Sequence, residues 1–320
     1  MMSEFDSGHR SHALDVEPVA LIGRRLGSLV QSHVQQVVEA TLAQSKPAGS
    51  PLDLGYIDPV LAQLALPRKA TDARVFERRS GEAILRLEAG QLLRNGRFEA
   101  QPLPSGSLAR FVLLALGREA ALTKNPEINL GRSAAAFLRR WGCDGGGDGH
   151  AELMRQVKAI AAVGILVGRR TKSGDRTLVG RIVDATTLDL ERGWPRSVHL
   201  TAEFFDAVTT RGAPILLPAV RGLRRSALAM DIFTWASLRL PLATPQWTFI
   251  AWESLFEQFA EGPAPKFRRD FSAAAQLVTR VWPGFGRAFS LIPTGVLLRH
   301  TNSPVPRLPR RRARHSEVTP

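Results

Sequence analysis

KFRRDFSAAAQLVTRVWPGFGRAFSLIPTGVLLRH (266–300) reads as a basic helix running straight into a β-hairpin. Phe267, Phe271, Ala274, Val278 and Trp282 recur at the spacing of one buried helix face. The opposite face carries Arg269, Ser272, Ala273, Gln276 and Arg280. Small residues on that face permit close approach to a DNA groove, and Arg and Gln are the side chains that read base edges. Arg287–Ile292, a Pro293-Thr294-Gly295 turn and Val296–His300 then read as two strands and their connection. A helix followed by a hairpin in this order is the recognition half of a winged helix.

Upstream, Ser226–Leu240 reads as an apolar helix, Trp247–Ile250 as a strand and Ala251–Ala260 as a helix. The same order precedes it. Ser107–Leu122 is an apolar helix, Glu127–Leu130 a strand, Ser133–Trp141 a helix capped by Ser133, and His150–Val163 a third helix. Ile165–Arg170 and Thr177–Asp184 then read as a hairpin around Lys172–Arg176. Matching elements keep an offset of about 120 residues, which suggests two copies of one small domain rather than a solenoid. The expected fold class is therefore α+β, mainly helical: two tandem winged-helix domains with a helical N-terminal extension.

The expected divisions follow the composition. Residues 1–50 are a flexible tail and one helix, Pro18–Leu42, with a possible role in oligomerisation. Residues 51–105 are a poorly defined segment with short strands at 82–89 and 97–103. Residues 106–195 form the first winged-helix domain, and 196–303 the second, DNA-binding one, entered through a strand-helix connector at 198–209. Residues 304–320 form a disordered, Arg-rich tail.

The chain has 320 residues and a net charge of +14, a field that favours polyanions. Its placement is more telling than its size. Residues 1–100 hold 12 Lys/Arg against 12 Asp/Glu, whereas 101–320 hold 31 against 17. The excess lies wholly on the segment with the candidate recognition helix. One cysteine, Cys143, excludes an internal disulfide and a cysteine-rich zinc site. The seven histidines lack metal-ligand spacing. The polar, mixed-charge start is no signal peptide, and no long apolar run reads as a membrane span, so cytoplasmic residence is expected.

The candidate DNA contacts of the second copy are Lys266, Arg268, Arg269, Ser272, Gln276 and Arg280, against which stands a merely solvated charged face. In the first copy Arg155, Gln156 and Lys158 read as the exposed polar set of the third helix, diluted by Glu152. Arg169, Arg170, Lys172 and Arg176 ring the first hairpin, either as a wing reaching phosphate or a minor groove or as an exposed basic turn. Arg221, Arg224 and Arg225 either grip phosphate at the start of the 226–240 helix or are solvated. Trp235, Trp247, Trp252 and Trp282 fall at core-like positions.

Absences narrow the chemistry. Gly145–Gly149 is not followed by Gly-Lys-Ser/Thr, so no phosphate-binding loop and no ATP hydrolysis are expected. The sole tyrosine, Tyr56, lies in the neutral N-terminal part and no His-x-His occurs, which argues against a nicking nuclease. Asp184, Asp189 and Glu191 read as solvated strand ends rather than a magnesium site. No enzyme activity, cofactor or metal is expected.

SALAMDIFTWASLRLPL (226–242), KFRRDFSAAAQLV (266–278) and TGVLLRHTNSPVP (294–306), together with LPSGSLARFVLLALGREAALTKNPEINLGRSAAAFLRRWG (103–142), resemble the plasmid replication initiator RepA family. The resemblance covers residues 100–306 in order. It implies a protein that binds repeated origin sites on double-stranded DNA and helps open the duplex. It also implies recruitment of the host replicative helicase and initiator proteins, and a homodimer is compatible with it. The rival reading is a winged-helix transcriptional regulator, including an autorepressor, without replication activity.

Overall fold

The computed structural model describes residues 53–141, 147–171, 174–188 and 193–305. The expectations for the 18–42 helix, Cys143, Lys172, Asp189, Glu191 and the arginines beyond residue 305 lie outside these residues. The chain is mixed α and β, 45% helical and 29% strand, so it holds more strand than the mainly helical layout expected.

Two segments repeat one connectivity. The first runs α2 (Gly106–Thr123), β6 (Glu127–Asn129), α3 (Ala134–Arg140), α4 (Gly147–Ala162), and later β9 (Val183–Leu188) and β10 (Pro195–Leu200). Its three strands are ordered β6-β10-β9, all antiparallel. The second runs α7 (Ala227–Arg239), β12 (Thr248–Ala251), α8 (Trp252–Phe259), α9 (Ala264–Val281), α10 (Pro283–Ala288), β13 (Phe289–Ile292) and β14 (Gly295–Leu298). Its sheet has the matching order β12-β14-β13. Local chemistry fixes several ends. Ser133 Oγ accepts from Ala136 N–H and Ser226 Oγ from Ala229 N–H, each satisfying an orphan donor of the first turn. The one-turn helix α10 was not foreseen; Pro283 starts it.

The expected first hairpin forms, as β7 (Gly164–Thr171) and β8 (Gly174–Arg181), but it belongs elsewhere. β7 pairs with β3 (Ala83–Glu88), which pairs with β2 (Val75–Ser80), giving a sheet β2-β3-β7-β8. The hairpin that completes the β6 sheet is β9–β10. Residues 51–105 are thus built into the fold rather than poorly defined. They also supply β1 (Leu54–Ile57), α1 (Pro59–Gln63) and a hairpin, β4 (Gln91–Arg94) and β5 (Arg97–Ala100). The expected division at 195/196 falls at the start of β10, a strand of the first sheet. After α5 (Ala202–Thr210), β11 (Ala213–Leu216) pairs antiparallel with β1 and leads to α6 (Leu217–Gly222). Of the expected tail, Val305 is described and is buried beside Leu54, Tyr56 and Ala121.

The centre of the molecule is α7. Every residue from Leu228 to Leu238 is buried, as an all-round apolar helix requires. α2 packs across it and also lies on β1, where Gly117 is needed: a Cβ there would sit 2.0 Å from the Tyr56 carbonyl oxygen. α7 carries one buried charge, Asp231, and α2 supplies its partner. Arg110 Nε lies 2.5 Å from Asp231 Oδ1 and Nη2 2.7 Å from Oδ2. The same guanidinium donates to the carbonyls of Leu66, Pro67 and Gly106. Burial works to raise the Asp231 carboxyl's pKa, while Arg110, Arg78 and Arg68 pull it down.

Removing one partner strands the other charge in the core, at a cost of about 3–5 kcal/mol. We therefore expect Arg110→Met to lower unfolding free energy by about that amount in urea titration. The double variant Arg110→Met/Asp231→Leu should be more stable than either single one; a double variant that loses the sum of the two single costs would contradict this.

Candidate nucleic-acid interface

α9 begins after Glu261, Gly262 at φ +92° and Pro263, with Pro265 in its first turn. Its buried residues are Phe267, Phe271, Ala274, Ala275 and Val278. At 100° per residue they fall within an arc of roughly 100°, a single stripe. That stripe is seated in aromatics. Phe271 lies 5.6 Å from the Trp252 ring, 5.9 Å from Phe259 and 5.5 Å from Phe267, centre to centre. Trp282, just past the helix, packs edge-on to Phe233.

The rest of α9 faces outward. Lys266, Arg268, Arg269, Gln276 and Arg280 are exposed and Ser272 is half-buried. Arg269, Ser272, Gln276 and Arg280 share one face, as expected. Lys266 and Arg268 are partly engaged: Lys266 Nζ donates to Asp270 Oδ2 at 2.6 Å, and the Arg268 guanidinium lies 5.6 Å from the Trp252 ring centre. The Lys266 bond holds the Asp270 carboxyl below its ordinary pKa.

The hairpin beside α9 is pinned. Trp252 donates from its indole N–H to the Pro293 carbonyl at 3.1 Å and from its backbone N–H to Thr294. Gly295 must be glycine, since a Cβ would meet the Ile250 carbonyl oxygen at 2.1 Å. Two exposed arginines here escaped the sequence reading, Arg287 and Arg299. Arg299 donates to the Arg287 carbonyl and lies 4.6 Å over the Trp247 ring. The signal available was a basic residue at each end of the hairpin. Trp235, Trp252 and Trp282 are buried as expected, but Trp247 is 44% exposed because its stacking partner is this surface arginine rather than the core.

Arg224 and Arg225 are exposed in the turn before α7. Two residues earlier, a Cβ on Gly222 would lie 3.3 Å from Val281, so this turn sits by the C-terminal end of α9, near Arg280. Arg221 is not with them. It pairs with Asp53, which also holds Arg118 at 3.2 Å, and is committed to the fold.

The first-copy residues are placed differently. α4 packs on α2, α3, β4, β9 and β10, and its buried positions span an arc of roughly 260°. Gln156, expected on the exposed face, is fully buried. Its Oε1 accepts from Ser105 N–H at 2.7 Å, satisfying the start of α2, where Ser105 itself makes no side-chain cap. Its Nε2 donates to Glu152 Oε1 at 2.7 Å, and Arg155 Nε donates to Glu152 Oε2 at 2.9 Å. Arg155 is exposed but tied into this chain of bonds. Lys158 is half-buried near Gly193 and Arg94; burial first, then Arg94's charge, lower its pKa. Arg169 is half-buried, Arg170 lies 3.9 Å from Asp175, and Arg176 is exposed opposite Arg169. These three sit on the β2-β3-β7-β8 sheet, away from β6. Asp184 pairs with His199 at 2.8 Å.

The comparisons with known proteins bear on this arrangement. Residues 112–253 match the family model for the RepA C-terminal region, described as plasmid encoded RepA protein. The resemblance read from 103–142 and 226–242 is borne out. The matched stretch ends within α8, so α9 and its hairpin lie beyond it. Two solved structures are also similar. The crystal structure of RctB domains 2 and 3 is 12% identical, with a TM-score of 0.46 over 72% of this chain and 83% of that one. A selenomethionine form of the same two domains is 11% identical, with a TM-score of 0.44 over 68% and 81%. No curated protein sequence matches. Among the described residues no helix is long and apolar enough to cross a membrane.

The division between scaffold and surface on α9 is testable. Phe271→Ala should destabilise the fold by about 3–5 kcal/mol, while Arg269→Ala leaves the thermal midpoint within about 1 °C. A large loss of stability in Arg269→Ala would show that residue to be structural.

Proposed function

We propose that this chain is a plasmid replication initiator that binds repeated origin sites on double-stranded DNA, chiefly through α9. One observation carries the reading. α9 buries a single aromatic stripe and leaves Arg269, Ser272, Gln276 and Arg280 on one outward face, beside a pinned hairpin. A helix in this setting enters a major groove with its base-reading side chains foremost, and the hairpin lies along the backbone as a wing. The matching strand orders β6-β10-β9 and β12-β14-β13 support two winged-helix units, the first with an inserted hairpin. The family match over residues 112–253 supports the replication role.

In this reading Arg224 and Arg225 hold phosphate near the start of α7, and Arg280 does so from the adjacent end of α9. The first unit does not read DNA through α4, because Gln156 and Lys158 are occupied within the fold. It supports the second unit, with β7–β8 offering Arg170 and Arg176 to backbone phosphate. Origin opening draws on binding energy and DNA deformation rather than ATP hydrolysis. The host helicase and initiator proteins are its partners, a homodimer is the form that suits regulation of its own gene, and the cytoplasm is its setting. It has no catalytic role of its own.

Selection of duplexes from a random-sequence pool should yield a shared motif, and Arg269→Ala should raise the Kd for that duplex about tenfold. Its Kd for a scrambled duplex should change by less than about threefold. Equal weakening on both duplexes would make Arg269 a phosphate contact; no change on either would remove it from the interface. A plasmid carrying only this gene and its upstream DNA should replicate in a suitable host. Binding without replication would make the chain a transcriptional regulator.

A further inference from the structure

We infer that Glu261 is a positioning residue that sets the angle at which α9 is presented to DNA, through a clamp made by the N-terminal segment 63–78. The inference rests on α9 being the reading helix. It concerns what holds that helix, which neither the family match nor the α9 surface explains.

α9 has no side-chain cap at its start; Pro263 occupies the capping position and makes no such bond. The direction of entry is therefore set from outside the helix. Glu261 Oε1 accepts from Arg68 N–H at 2.6 Å and from Arg78 Nη2 at 3.0 Å. The Glu261 carbonyl accepts from Arg68 Nη2 at 3.2 Å, and the Ala260 carbonyl accepts from Arg78 Nη1. One step back, Gln258 Nε2 donates to the Gln63 carbonyl at 2.6 Å. Five bonds thus join three residues ahead of α9, Gln258, Ala260 and Glu261, to a segment nearly two hundred positions away.

Arg78 is 5% exposed and lies on β2, which packs on α8. Its guanidinium also lies 4.7 Å over the Phe76 ring. Bonds of this kind, charged and removed from water, hold geometry more firmly than surface pairs do. Beyond Glu261, Gly262 takes a φ of +92°, and Pro263 and Pro265 have their φ locked by their rings. The prolines restrict the path from the clamp to Lys266, and Gly262 is its one permissive joint. Arg269 stands about one and a half turns into α9, so a tilt at the start of the helix moves the reading face bodily.

The experiment uses the full chain with two probes, the selected duplex and a scrambled duplex of equal length and composition. Glu261→Gln keeps an acceptor for Arg68 N–H and loses the charge that holds Arg78. Arg68→Ala removes the bond to the Glu261 carbonyl and the 3.8 Å ion pair with its carboxylate, and leaves Glu261 paired with Arg78. Both should weaken the selected duplex by about tenfold and the scrambled one by less than about twofold, since phosphate contacts tolerate a tilt and base contacts do not. Hydrogen exchange of the amides at 266–270 should quicken in both. If the two duplexes weaken equally, or neither does while exchange quickens, Glu261 is a structural residue only and the proposal is overturned. If the wild type itself does not discriminate the two duplexes, α9 is not the reader and the proposal falls with that assignment.

Discussion

The fold depends on one buried ion pair. α7 is apolar on every side and so must be surrounded, yet it carries Asp231 at its middle. Arg110 reaches it from the interior of α2 with both guanidinium edges and binds three carbonyls besides. Such a pair adds little net stability, because desolvation offsets most of its attraction. Its effect lies in what it forbids. Any packing that slides α2 along α7, or lifts residues 66–67 from the pair, leaves a charge or a carbonyl buried and unpartnered. The two repeated units share one continuous core through this contact, and the register of α2 on α7 fixes where everything beyond each helix points.

α4 and α9 occupy the same place in the two repeats and have opposite fates. Each is preceded by a helix and followed by strands, and each presents polar residues at helical spacing. What separates them is what the chain stacks against them. β4 packs on α4 and sets Arg94 beside Lys158, and the start of α2 draws Gln156 inward through Ser105 N–H. Nothing among the described residues covers the corresponding flank of α9. The exposed face of α9 is thus made by what is left uncovered as much as by the arginines on it.

This explains how much could be read from the sequence. α9, its hairpin and the apolar α7 were legible because their signals are local: a 3.6-residue stripe, a Pro-Thr turn, an absence of polar positions. The helices of the first unit were legible for the same reason. The pairing of β7 with β3 and of β1 with β11 was not, because each joins strands remote in sequence and nothing in either strand names its partner. The same blindness put Gln156 on the surface: its bond to Ser105 N–H spans 51 positions. Trp247 was misread because an exposed aromatic under an arginine has the same composition as a buried one.

The net charge of +14 has to be divided in the same way before it means anything. Arg78, Arg110, Arg118 and Arg221 are spent on internal carboxylates, and Arg140 and Arg155 on Glu119 and Glu152. They contribute to the long-range field but cannot reach a phosphate without giving up a partner. Arg224, Arg225, Arg269 and Arg280 are exposed and lie on α9 or by its C-terminal end. At physiological salt a charge is felt over about 8 Å, so the field around α9 is governed by such a local group rather than by the total. The overall charge favours polyanions in general; the exposed arginines on and beside α9 give one part of the surface a positive field of its own.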